Sequence, residues 1–129
     1  MKYFKLILFF FMICATSINA EVTYTNKYDK IDIDALIKNE RLLKHYVNCL
    51  LDREKCRPDG EELKRFLPEA LETECAKCTD AQKIGSRRII THLIKNKREW
   101  WNELEKKYDP KKLYITRYAK ELEKQGIKL

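Results

Sequence analysis

Cys49-Leu-Leu-Asp-Arg-Glu-Lys-Cys56, eighteen intervening residues, then Cys75-Ala-Lys-Cys78: this stretch decides the fold. Each cysteine pair is near enough in sequence to close a small loop, and the segment between them carries its own helical pattern. Two local staples are expected, one at each end of a helix. Four cysteines allow three connectivities, and proximity favours Cys49 with Cys56 and Cys75 with Cys78. On the chain-entropy model a loop of eight residues contributes about 2.5 kcal/mol and a loop of four about 1.9 kcal/mol. A four-cysteine zinc site usually has two short arms, which the six-residue spacing of the first pair fits poorly. A redox Cys-x-x-Cys would adjoin a βαβ pattern, whereas this one lies between helical runs. Structural disulfides are the reading adopted, with no metal and no cofactor expected.

The start of the chain supplies the compartment. Lys2 and Lys5 precede an unbroken apolar run from Leu6 to Met12, and Ser17-Ile18-Asn19-Ala20 offers a small residue for cleavage. Residues 1–20 are read as a signal peptide cut after Ala20, leaving residues 21–129 as one domain. The apolar run is too short for a membrane span, so no stable membrane insertion is expected. Cys14 leaves with the leader, so an even four cysteines remain for an oxidising compartment. Without Lys2 and Lys5, 25 basic residues face 20 acidic ones, a net charge of about +5. The two signs are interspersed along the chain, which reads as a solvated surface; nucleic acid would want the positive charge on one face.

Three Gly and three Pro in 129 residues, with no period-2 pattern, argue for an all-α fold. Glu21 to Asp29 reads as an extended or loose arm. Asp32 or Asp34 would cap a short first helix carrying Ile33, Leu36 and Ile37. Asn39 interrupts, and Glu40 starts a second helix whose buried face is Leu42, Leu43, Tyr46, Val47 and Leu50. Pro58-Asp59-Gly60 reads as a turn before a third helix from about Glu61 to Glu74, with Leu63, Phe66, Leu67, Ala70 and Leu71 on one face. Pro68 should kink that helix, or break it near Leu67. Thr79 caps a fourth helix through Lys97 with Ile89, Ile90, Leu93 and Ile94 inside, Gly85 weakening its regularity. A fifth helix holds Trp100, Trp101, Leu104 and Tyr108 and stops at Asp109-Pro110. A sixth carries Tyr114, Ile115, Tyr118, Ala119 and Leu122, with Gly126 as its end signal. Five to six short amphipathic helices must share one interior.

Catalytic chemistry is not apparent. His45 and His92 are the only histidines, neither has a carboxylate at ligand spacing, and no hydrolase, metalloprotease or phosphate-loop motif occurs. The aromatics are more informative: seven Tyr and two Trp exceed what so small a bundle needs. Tyr46, Trp101, Tyr114 and Tyr118 are either core or the wall and mouth of an apolar cavity.

Tyr24-Thr-Asn-Lys-Tyr-Asp-Lys-Ile-Asp-Ile-Asp34, Asn39-Glu-Arg-Leu-Leu43, the cysteine frame with Pro58-Asp-Gly60 and Leu67-Pro-Glu-Ala-Leu71, and Lys107-Tyr-Asp-Pro110 together resemble the insect chemosensory proteins of the OS-D type. The resemblance spans essentially the whole segment after the leader. It implies six α-helices round an apolar channel and disulfides Cys49–Cys56 and Cys75–Cys78. It also implies soluble carriage of long-chain lipophilic molecules, secretion into sensillar lymph or haemolymph, and no enzymatic activity. By position, Tyr28, Tyr46, Trp101, Tyr114 and Tyr118 match aromatics that the family sets along or at the mouth of its channel. Aliphatic wall candidates, from the helical faces above, are Ile33, Leu36, Leu43, Val47, Leu63, Leu67, Leu71, Ile90 and Leu93. The chain departs from the family pattern at Arg53-Glu54-Lys55, where a glycine-containing turn is common, and at Lys111-Lys112-Leu113, where a glycine often follows.

The expected function is a monomeric, secreted carrier of small hydrophobic ligands such as long-chain alcohols, esters, fatty acids and semiochemicals. One alternative is a cationic helical protein acting on membranes or microbes, suggested by the net charge and amphipathic helices. Another is a developmental signalling factor on the same fold, for which a membrane receptor would be the partner.

Overall fold

The structure is a computed structural model and describes residues 22–128; the expected leader and its cleavage point after Ala20 lie outside the described residues. Among the described residues there are six helices and no strands: α1 (Ile33–Lys38), α2 (Glu40–Leu50), α3 (Pro58–Glu72), α4 (Asp80–Asn96), α5 (Arg98–Tyr108) and α6 (Leu113–Lys124). Both disulfides are local, Cys49–Cys56 and Cys75–Cys78, with Cα–Cα distances of 4.9 and 5.0 Å.

Side-chain caps set most of the helix starts. Asp32, not Asp34, caps α1 by accepting the Ala35 N–H at 3.0 Å. Asn39 ends α1 and begins α2: its backbone N–H reaches the Ala35 and Leu36 carbonyls while its side chain accepts the Leu42 N–H at 3.0 Å. Thr79 and Gln82 form a reciprocal capping box on α4, with bonds of 3.2 and 3.0 Å. Gly126, at φ +79°, takes the left-handed conformation that closes α6, and the Ile127 N–H returns to the Leu122 carbonyl at 2.9 Å.

One expectation for α3 fails, and of the two outcomes expected at Pro68 the break does not occur. The helix spans Pro58–Glu72 rather than Glu61 to Glu74, because Pro58-Asp59-Gly60 is its first turn and not a separate turn. A proline in that first turn loses no intrahelical bond, since its N–H would have had no partner there. Pro68 neither breaks the helix nor ends it at Leu67. It is exposed, and its neighbours Leu67 and Ala70 keep helical conformation through to Glu72. One missing backbone bond is tolerable where the face on either side is packed.

The expected loose arm is also docked. Its Tyr24 N–H donates to the Lys77 carbonyl at 2.8 Å, within the second disulfide loop. The Tyr24 ring stacks on Phe66 at 4.3 Å, and its hydroxyl donates to Glu69 at 2.9 Å. Farther along, Gln82 donates to the Thr25 carbonyl and the Thr79 hydroxyl to Asp29, both at 3.0 Å.

Helix α1 packs on α2 and α4, α4 on α5, and α5 back on α2, closing a four-helix circuit with α3 packed on α2. Its centre is Leu36, Leu43, Val47, Leu50, Leu93 and Leu104. Two glycines allow the close approaches. A Cβ at Gly60 would lie 3.1 Å from Cys49 Sγ and 3.5 Å from the Tyr46 ring; one at Gly85 would lie 3.3 Å from Ile33. Gly85 therefore marks the α1–α4 crossing, and α4 is continuous through it.

The first disulfide loop needs no glycine because charge holds it. Asp52, at φ +62°, pairs with Lys64 and with Lys107. Arg53 donates to Glu103 at 2.8 Å, and Glu54 accepts from Asn48 at 3.1 Å and lies 3.3 Å from His45. Hydrogen bonds from Lys107 and then Lys64 hold the Asp52 carboxyl down at about 2. Lys107 and the Tyr108 hydroxyl also donate to the Leu50 carbonyl, at 2.6 and 2.7 Å, where α2 ends and its dipole is negative.

Candidate ligand site

The apolar interior of the circuit is the candidate site. Of the aliphatic candidates, Leu36 from α1, Leu43 and Val47 from α2, and Leu93 from α4 are buried together at its centre. Leu63 and Leu67 from α3 pack against them half-buried, as do Tyr46 and Trp101. Ile33, Leu71 and Ile90 are half-buried but lie outside that cluster, Ile33 filling the crossing beside Gly85. Tyr28 is half-buried on the arm with Lys27 5.5 Å from its ring, and Tyr114 is half-buried with Arg117 5.3 Å from its ring. Leu50 and Leu104 join the central cluster without being among the candidates, although both sit on apolar faces legible in the sequence.

The tyrosine hydroxyls differ in their surroundings. Tyr46 donates to the Asp59 carboxylate. Its pKa is pushed up to about 12, first by burial and then by that bond, so the hydroxyl stays neutral and occupied. The Tyr118 hydroxyl is buried and makes no well-formed hydrogen bond among the described residues, although the Arg87 guanidinium lies beside it. Burial raises its pKa too, partly opposed by the Arg87 guanidinium. Trp101 donates its indole N–H to Glu105 at 3.2 Å. The interior thus offers aliphatic walls and, in Tyr46, a tyrosine whose polar tip is committed; Tyr118 is half-buried on α6, outside that cluster.

Sequence reasoning missed Asp109, reading Asp109-Pro110 only as a stop signal. Its buried carboxylate accepts the Tyr114 N–H at 3.2 Å and the Ile115 N–H at 2.9 Å, starting the helix that carries both C-terminal tyrosines. An acidic residue a few positions ahead of an apolar run was the available signal.

A separate shallow cleft of about 630 Å³ on the outer side of α2 is lined by Glu40, Arg41, Lys44, His45, Asn48, Glu54 and Trp100. No candidate residue lines it. Its tryptophan is covered by Lys44 at 4.5 Å and Lys97 at 5.0 Å. Among the described residues no three His, Cys, Asp or Glu side chains are grouped to hold a metal ion. No helix among them is long and apolar enough to cross a membrane.

Six helices with two local disulfides and an aliphatic interior edged by tyrosine and tryptophan define the class of the chemosensory proteins. A chemosensory protein solved in complex with bromo-dodecanol superimposes with a TM-score of 0.72 at 50% identity, covering 74% of this chain and 96% of that one. Residues 24–116 match the insect pheromone-binding family, A10/OS-D, and the chain belongs to that family. Ejaculatory bulb-specific protein 3 of Drosophila melanogaster is 45% identical over 125 residues, 97% of this chain and 99% of that one. Allergen Tha p 1 of Thaumetopoea pityocampa is 51% identical over 112 residues, 85% of this chain and 89% of that one.

Proposed function

We propose that the chain is a secreted carrier that holds small lipophilic molecules, such as long-chain alcohols, esters, fatty acids or semiochemicals, in its apolar interior. The observation that carries this reading is the convergence of Leu36, Leu43, Val47 and Leu93 with Tyr46 and Trp101 on one aliphatic centre. The similarity to a chemosensory protein solved with bromo-dodecanol supports it. Tyr28, Ile33, Leu63, Leu67, Leu71, Ile90, Tyr114 and Tyr118 complete the proposed lining, with Tyr118 meeting the polar end of the ligand. Secretion follows from the leader reading, with both disulfides formed in an oxidising compartment.

The driving force is simple. Each methylene moved from water into an apolar interior is worth about 0.8 kcal/mol. Micromolar affinity needs about 8 kcal/mol, which a long alkyl chain can supply with few polar contacts. Selectivity for chain length then exceeds selectivity for headgroup. The test is titration of oxidised protein spanning residues 21–129 with a fluorescent lipophilic probe, then displacement by dodecanol, its esters and fatty acids. Saturable micromolar binding with quenching of tryptophan emission supports the reading; a folded, disulfide-closed sample that binds no probe refutes it.

A further inference from the structure

We infer that Asp109 is the positioning residue that holds α6, and with it Tyr114 and Tyr118, at the ligand site; the inference rests on the carrier reading above. Among the described residues, α6 lies less closely against the other helices than they lie against one another. An exposed ion pair at 3.2 Å between Arg117 and Glu74 ties its middle, and Leu122 is buried near its end. Its start has no cap of its own: Lys112 precedes it with no side-chain bond to the helix. Lys112 is also left-handed, at φ +56°, a conformation that a residue with a Cβ adopts at a cost.

Asp109 offsets both deficits. It is 7% exposed and stands at the C-terminus of α5, so its backbone is fixed by a helix of the closed circuit. Its carbonyl accepts the Lys112 N–H at 3.0 Å, closing the joint. The carboxylate then takes the Tyr114 and Ile115 N–H groups across the joint, at 3.2 and 2.9 Å. A buried carboxylate is stable only with such donors. These bonds therefore fix the direction in which α6 leaves α5. Tyr114 is one of the two bonded residues, and Tyr118 follows one helical turn later. Without the carboxylate, the joint keeps only the Lys112 N–H bond, and the direction of α6 is left to Leu122 and the Arg117–Glu74 pair farther along the helix.

The test compares Asp109→Ala with Asp109→Asn in the full oxidised protein, because asparagine keeps one of the two acceptor oxygens and should restore part of what alanine loses. In ligand-free Asp109→Ala, amide exchange over residues 113–124 should rise roughly tenfold, the size of a lost N-terminal cap, with α2 and α4 unchanged. The dissociation rate of a bound lipophilic probe should rise by about the same factor. The fluorine signal of fluorotyrosine at position 118, assigned with Tyr118→Phe, should move in Asp109→Ala and come part of the way back in Asp109→Asn. Unchanged exchange and dissociation in Asp109→Ala overturn the inference, as does an Asp109→Asn variant that recovers none of the loss. Wild-type protein that binds no probe overturns the carrier reading and this role with it; wild-type binding alongside an unaltered Asp109→Ala overturns this role alone.

Discussion

Removing the Tyr118 hydroxyl should strengthen the empty protein and weaken its hold on alcohols. The hydroxyl is buried and makes no well-formed hydrogen bond among the described residues, the Arg87 guanidinium beside it notwithstanding. Leaving such a group unsatisfied costs about 1–3 kcal/mol, whereas Tyr118→Phe keeps the ring and its packing. The ligand-free variant should therefore gain about 1 kcal/mol, a rise in melting temperature of roughly 4–8 °C for a domain of this size. Dodecanol, whose hydroxyl would satisfy Tyr118 in the wild type, should bind about fivefold more weakly, the equivalent of one net hydrogen bond of about 1 kcal/mol. A hydrocarbon of equal length gains nothing from the hydroxyl and should bind at least as well. Thermal melts of the empty protein and probe displacement by the two ligands read both effects. A variant that melts at or below wild type would mean that the hydroxyl is already satisfied. An equal loss for alcohol and hydrocarbon would mean that the ring, not the oxygen, makes the contact. Either result refutes the reasoning.

Three further outcomes are expected. Gly60→Ala gains at most about 1 kcal/mol of helix propensity but drives a methyl against Cys49 Sγ, locked in its disulfide, and Tyr46, held by Asp59. Overpacking of that kind costs about 1–3 kcal/mol, so urea melts should show a net loss, and a gain would refute the close packing. Tyr24 and Tyr46 are both pushed up to about 12, each first by burial and then by its carboxylate bond. Stability held by the neutral hydroxyls is complete below pH 10 and falls as pH rises towards 12, so tyrosinate absorbance of residues 21–129 should show Tyr24 and Tyr46 titrating late, with Tyr118 also raised by burial; six ordinary titrations would count against it. The Asp52 carboxyl lies at about 2 instead of 3.8, so its contribution is present above pH 3.8 and is lost as pH falls towards 2. Asp52→Asn should flatten that part of the acid unfolding profile, most visibly at low salt because the pair is exposed; an unchanged profile would remove the pairing from the account.

The parts of the fold that could be read from the sequence are those set by local rules. The buried face of α2 follows from apolar spacing alone, and Asn39 and Thr79 announce helix starts that the structure places where expected. Pro58 misled because a proline in the first turn of a helix loses no backbone bond, and Gly60, two residues on, lies within that turn close against Cys49 and Tyr46 of α2. The docking of the arm was illegible: its bonds join Tyr24 to Lys77 and Thr25 to Gln82, pairs that no spacing rule connects. At the site, central residues such as Leu43, Val47 and Leu93 were legible by periodicity. The state of each tyrosine hydroxyl was not, since it depends on whether a carboxylate such as Asp59 arrives from another helix.

The placement of the covalent links bears on how the interior could accept ligands of different length. Cys49–Cys56 ties the end of α2 to the loop before α3, and Cys75–Cys78 closes the loop between α3 and α4 on which the arm rests. Neither joins two opposite walls of the α1–α2–α5–α4 circuit. The long-range ties of the first loop, through Asp52, Arg53 and Lys107, run over its outer polar face. Across the interior itself the walls meet only through aliphatic and aromatic side chains, which are non-directional contacts that can be exchanged for contacts with an alkyl chain at little cost. Rigidity therefore belongs to the ends of the helices and adaptability to the space between them, a division that suits a carrier whose ligands differ mainly in the number of methylenes they bury.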